Sequence, residues 1–171
     1  KVAIRVTATG IPGHSSRTDL GRNAIHMLLP VLQAAVDQAE ALKSGPLAPA
    51  FAPPWSTVQV GVIQGGVAIN IIPEHAYLDI EARAIAGILP EDILAPIRAA
   101  AEGLRVETLS SYPPLSMTED HPFADLAKRI SGNTPLAAVS YGTDAGLFEQ
   151  AGVPTVICGP GYIDRAHKPE E

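Results

Sequence analysis

The stretch 156–171, VICGPGYIDRAHKPEE, holds the residues best placed to do chemistry. Its apolar start stops at Gly159, Pro160 and Gly161, which reads as a buried strand ending in a loop where backbone passes close to something. That loop then presents His167 beside Lys168, Glu170 and Glu171. A histidine so placed suits metal ligation or proton transfer; the alternative is a solvated histidine in a tail. Cys158 lies inside the apolar run and has no partner for an internal disulfide, which suits a reducing compartment and a packing role. Nothing cationic sits beside it to make it a nucleophile. His26, His75 and His121 read as structural or solvated, since none has the spacing of a metal site.

What must position such residues is a core, and with 46% hydrophobic and 18% charged residues the chain has the material for one domain or two small ones. A net charge of -6 without any Lys/Arg cluster argues against nucleic acid and anionic membrane surfaces as partners. No run of about 18 apolar residues is present to span a bilayer, and no basic-then-apolar signal segment opens the chain. The expected location is cytoplasmic. Lys1 opens directly into a strand pattern without a methionine, so the chain reads as a fragment of something longer.

Val2, Ile4 and Val6 alternate with more polar neighbours as a half-buried strand. The glycine- and proline-rich loop after it offers Ser15, Ser16, Thr18 or Asp19 as the cap of a helix over 23–43. Pro30 should kink that helix or split it. A Pro- and Ala-rich connection leads to a second strand through Val58, Val60 and Val62. After a turn, a third strand puts Tyr77, Asp79, Glu81 and Arg83 on one side and Leu78, Ile80 and Ala82 on the other. Pro90, Glu91 and Asp92 open a second helix, and a fourth strand covers 104–109.

That order predicts an α+β fold: a ferredoxin-like four-stranded antiparallel sheet with two helices over residues 1–111. From residue 112 the pattern changes. A stiff Tyr-Pro-Pro linker precedes a helix over 122–131, a strand over 136–140, a helix over 144–151 and a strand over 155–158, read as a partial α/β segment.

Four stretches together resemble a known family. They are GHSS at 13–16 with GRNAI at 21–25, QGGVAINIIPEHAYLDIEAR at 64–83, YGTDAGLFEQAGVPTVICGPG at 141–161, and AHKPEE at 166–171. In this order they resemble the M20 metallopeptidase and deacylase family, which includes acetylornithine deacetylase and succinyl-diaminopimelate desuccinylase, most of all its acetylornithine deacetylase branch. The resemblance implies a lid, or dimerisation, domain at 1–111 and the C-terminal part of an incomplete catalytic domain at 112–171. It implies two zinc ions in the complete enzyme, with cobalt as an alternative metal, and a homodimer formed through the lid. The family's tail usually continues past the HKP segment into a further helix, and this sequence stops at Glu171.

Carried over by residue, the resemblance makes His167 a metal ligand and His14 the lid histidine that stabilises the oxyanion in the partner subunit's site. Without it, His14 reads as a loop residue making a local turn contact. Arg83 matches the arginine that binds the substrate carboxylate; its bland alternative is a surface pair with Asp79 or Glu81. Asn70 matches an asparagine facing the partner's site, or is a turn residue. Gly142, Thr143, Gly159 and Gly161 would line the substrate pocket. The expected activity of the complete enzyme is metal-dependent removal of an acyl group from a small N-acyl amino acid, acetylornithine first, in arginine biosynthesis. The fragment is expected to be inactive alone. The alternatives are a stand-alone dimerisation module, or hydrolysis of succinyl-diaminopimelate, peptides or other N-acyl amino acids.

Overall fold

The structure is a computed structural model that describes residues 1–85, 87–115, 117–132 and 136–159. The alternating apolar residues at the start form β1 (Val2–Thr9), whose Val2, Ile4, Val6 and Ala8 are buried while their neighbours are half-buried or exposed. After a two-residue strand β2 (Gly13–His14) comes helix α1 (Ala24–Leu42), which turns Ala24, Leu28, Val31 and Ala35 inward. β3 (Thr57–Gly65), the short β4 (Ile71–Ile72) and β5 (His75–Arg83) follow, then helix α2 (Pro90–Ala100) and strand β6 (Arg105–Ser111).

The main sheet has the order β3-β5-β1-β6 with every neighbouring pair antiparallel, the strand order expected of a split βαβ arrangement. Ile93, Leu94 and Ile97 of α2 join the inward row of α1 against Leu78, Ile80 and Ala82 of β5, so both helices share one core with one face of the sheet. The other face is a polar ladder. There Arg5 grips Asp79 through two hydrogen bonds of 2.6 and 2.7 Å, and its guanidinium lies 4.0 Å from the centre of the Tyr77 ring.

Three local expectations are corrected. The cap of α1 is Asn23, whose Oδ1 accepts from the backbone N–H of Ile25 and His26; the hydroxyls and Asp19 of the preceding loop lie too early because that loop closes on itself between Ile11 and Arg22. Pro30 does not split the helix, which continues to Leu42 on the strength of its buried face. The turn before β5 contains a strand, β4, that pairs with β2.

The chain divides into two compact units. Lys1–Tyr112 and Ala138–Gly142 form the first; from Pro113 onward the remaining residues form the second. In the second unit, α3 (Pro122–Ile130) is capped by His121, whose Nδ1 accepts from the Phe123 N–H, and α4 spans Ala145–Gln150. The strands expected at 136–140 and 155–158 are absent: neither stretch has a ladder partner among the described residues, and a strand exists only as a pair. Cys158, expected inside one of them, is exposed.

Candidate functional site

Two clusters hold the candidate residues of the first unit, and they lie at opposite ends of β5. The first is an arm built on the β2–β4 pair. Gly10 starts it by donating its N–H to the Glu74 carbonyl at 2.7 Å, and Ile11 and Arg22 close its base with reciprocal hydrogen bonds of 2.9 Å. Within it Gly13 and His14 pair with Ile72 and Ile71, and the Ser15 N–H donates to the Asn70 carbonyl at 3.0 Å. The fold therefore brings His14 and Asn70 together, as the first strand pattern could not show.

His14 is exposed, and its ring is oriented by its neighbour. Nδ1 accepts the Ser16 N–H at 3.2 Å and lies 2.8 Å from the Ser16 hydroxyl. A ring nitrogen that accepts a backbone N–H carries no proton, so in the neutral imidazole with this contact the proton sits on Nε2. The local turn contact and the donor role are thus compatible: the contact sets the tautomer.

The second cluster surrounds Arg83. Glu81 and Arg83, two apart on one strand, share a face, and the Arg83 Nε donates to Glu81 Oε1. Lys1 Nζ takes the other oxygen, Glu81 Oε2, at 2.6 Å. Arg83 Nη1 donates to the Ser140 carbonyl at 2.7 Å, which draws the segment Ala138–Gly142 into the first unit. Gly142 lies against the Lys1 stem, where an added Cβ would come within 2.9 Å of Lys1 Cδ. Of the two acidic partners weighed for Arg83, Glu81 is the one used, because Asp79 is taken by Arg5.

Partial burial pushes the Glu81 carboxyl up, but the hydrogen bonds from Lys1 and Arg83 and their charges outweigh it, so its pKa lies below the ordinary 4.5. A carboxyl whose folded pKa is depressed contributes stability that is complete above the unfolded value and is lost as pH falls through the folded one. Urea unfolding followed from about pH 6 down to about pH 3 is therefore expected to show stability draining below the ordinary carboxylate range, less steeply in Glu81→Gln. Asp19, held low by Arg17, and Asp120, held low by the Thr118 hydroxyl, titrate in the same direction. The difference between the two profiles is what reports on Glu81, and coincident profiles would refute it.

The remaining candidates fall elsewhere. Thr143 belongs to the second unit, where its Oγ1 accepts the Ala145 N–H at 2.9 Å at the start of α4. Gly159 is exposed, and among the described residues no neighbouring atom lies within 4 Å of its Cβ position. Gly161 and His167 lie outside the described residues. His26 and His75 are exposed. Among the described residues no three His, Cys, Asp or Glu side chains converge to hold a metal ion, so these residues do not fit a two-zinc centre by themselves. Among them, too, no helix is long and apolar enough to cross a membrane. Sequence reasoning weighed Glu81 as a partner of Arg83 but passed over the contact of Ser16 with His14, for which the only signal was a position two residues from a singled-out side chain.

Comparison with known proteins follows this geometry. The chain is 35% identical over 179 aligned positions to an acetylornithine deacetylase of Vibrio vulnificus, covering 99% of this chain and 47% of the relative. It is 32% identical to an acetylornithine deacetylase of Photorhabdus laumondii, covering 99% of this chain and 45% of the relative. The chain thus spans about half the length of the curated relatives it matches. Among solved structures it is similar in fold to a tripeptidase of Staphylococcus aureus, with a TM-score of 0.63 and 18% identity over 90% of this chain and 41% of that one. It is similar also to the aminopeptidase PepT of Bacillus cereus, with a TM-score of 0.59 and 21% identity over the same shares. Residues 1–108, which hold three strands of the main sheet and the start of the fourth, both of its helices and the arm, match the M20 peptidase dimerisation domain, and the chain belongs to the M20 peptidase family.

Proposed function

We propose that the chain is the dimerisation domain and an adjoining segment of an amidohydrolase that removes the acetyl group from N-acetylornithine as a homodimer. The observation that carries this reading is the separation of the two clusters. β5 is nine residues long, roughly 27 Å at ~3.3 Å per residue, with the His14 arm beyond one end and Arg83 at the other. One substrate reaches both only if they come from different copies. Arg83 then holds the substrate carboxylate with a planar donor, while His14 of the second copy donates its Nε2–H to the oxygen of the acyl carbonyl as negative charge develops there. Asn70 stands beside that donor, where the Ser15 N–H meets its carbonyl.

Support for the pairing comes from surface the first unit leaves uncovered. β3 is an edge strand with Val62 and Ile63 exposed, and α1 beside it exposes Ile25, Leu29 and Val36. A long apolar edge calls for a partner, and a second copy supplies one. The reading assigns two zinc ions, or cobalt, to ligands outside the described residues, His167 among them; such a pair supplies activation of the attacking water. By itself the chain is expected to release no acetate from N-acetylornithine.

A graft tests this. The chain replaces the matching region of the Vibrio vulnificus acetylornithine deacetylase, and the hybrid is assayed on N-acetylornithine, N-succinyl-diaminopimelate and a dipeptide. His14→Ala is expected to lower kcat by about a hundredfold or more, and Arg83→Ala to raise KM. Co-expressed, the two variants should recover roughly a quarter of the activity by random pairing, because each mixed dimer holds one intact site. Absence of recovery would place both residues in one copy's site, and turnover of only another substrate would reassign the specificity.

A further inference from the structure

We propose that Glu81 is a positioning residue that holds Arg83 in the orientation needed to read a substrate carboxylate. The inference rests on the reading of Arg83 given above and adds to it the group that sets its geometry. An arginine side chain is long and loses considerable rotamer freedom when it binds a ligand, so one already held in place binds better. Here two of the three guanidinium nitrogens are anchored: Nε on Glu81 Oε1 and Nη1 on the Ser140 carbonyl. Nη2 has no hydrogen-bond partner among the described residues. A planar group fixed at two corners presents the third in a fixed direction.

Glu81 is itself held. Its second oxygen accepts from Lys1 Nζ at 2.6 Å, and its side chain is only 21% exposed. The strand register makes this possible, because the residue opposite Glu81 on β1 is Ala3, whose small side chain lets Lys1 reach across diagonally. Lys1 and Arg83 carry two positive side-chain charges against the one negative charge of Glu81, so the trio is one anion short of neutrality. A carboxylate ligand completes it. Were Glu81 a competitor for that ligand it would occupy the far edge of the guanidinium; instead it takes Nε and leaves Nη2 open.

The test uses the whole chain labelled with ¹⁵N at arginine, and reads the Arg83 Nε–H signal, assigned by its loss in Arg83→Lys. In the unmodified chain this proton is expected to exchange slowly with water. In Glu81→Ala and in Glu81→Thr, which keeps a strand-favouring residue, exchange should quicken. Glu81→Gln, whose amide oxygen still accepts from Nε, should restore it. The probe for binding is sodium N-acetylglycinate, with N-acetylglycinamide as the control lacking the carboxylate. Glu81→Ala and Glu81→Thr should bind the carboxylate roughly threefold to tenfold more weakly, the range that immobilising one long side chain spans, and Glu81→Gln close to the original. Unchanged exchange, or equal or tighter binding in Glu81→Ala or Glu81→Thr while Arg83→Lys loses it, overturns the positioning role and leaves Arg83 as the carboxylate donor. No carboxylate-specific response at Arg83 in the unmodified chain overturns both.

Discussion

Ile4→Ala is expected to destabilise the first unit by about 3–4 kcal/mol, within the range for deleting most of a buried aliphatic side chain. Ile4 is 0% exposed and sits on β1, one of the two central strands, directly opposite Ile80 of β5. The helices that cover this face pack into the same cluster, so the cavity is roofed by α1 and α2 and floored by the sheet, with little freedom to collapse. The loss is a large share of the roughly 5–15 kcal/mol that a domain has in total. Urea unfolding should show the midpoint falling with the slope unchanged. Leu109→Ala, at a position 46% exposed on the edge strand β6, should stay within about 0.5 kcal/mol. Equal effects at the two positions would mean that the inward row of β1 is not the core.

Gly10→Ala should come next in size, at about 1–3 kcal/mol or more, and for a different reason. A Cβ built there would lie 1.9 Å from the Arg22 carbonyl oxygen and 3.0 Å from the Ala24 nitrogen. Both are backbone atoms. Arg22 cannot retreat without breaking its hydrogen bonds to Ile11, and Ala24 begins α1 with its N–H already given to the Pro73 carbonyl. The substitution therefore opens the base of the arm and frees His14 and Asn70 from each other. Amide exchange should show it as faster exchange at Ile11, Arg22 and Ser15, with the β1–β5 amides less affected. Gly13→Ala is the matched control, because its nearest neighbour would be Ile72 Cδ1 at 3.5 Å, an ordinary contact. Gly10→Ala with protected arm amides would count against this account.

Much of the first unit could be read from the order of residues. Val2, Ile4 and Val6 against Arg5, and Leu78 and Ile80 against Asp79 and Glu81, alternate cleanly because one face of the sheet is dry and the other wet. Such a pattern survives in the sequence because every residue in it obeys the same rule. The β2–β4 pair escaped notice since two-residue strands have no period, and their partners are distant in the chain. The cap of α1 was misplaced for a related reason: several residues before the helix are good caps, and only the loop's closure selects Asn23. The expected strands at 136–140 and 155–158 show the reverse failure, in which apolar side chains suit a strand whose partner is not among the described residues. At the candidate site, residue types were legible and arrangement was not. Arg83 could be singled out by type, yet the oxygen atoms that orient it belong to Glu81 and to the main chain of Ser140, and a carbonyl leaves no trace in a sequence.

The short segment Ala138–Gly142 has one more consequence, for anyone cutting the chain into expressible pieces. The dimerisation match ends at residue 108 and the Pro-Pro linker begins at Pro113, so a cut just after Tyr112 looks natural and would keep every strand and helix of the sheet unit. It would also discard Ser140 and leave the Arg83 guanidinium without one of its two acceptors among the described residues. The piece that holds the sheet and the piece that keeps the contacts of Arg83 have different ends.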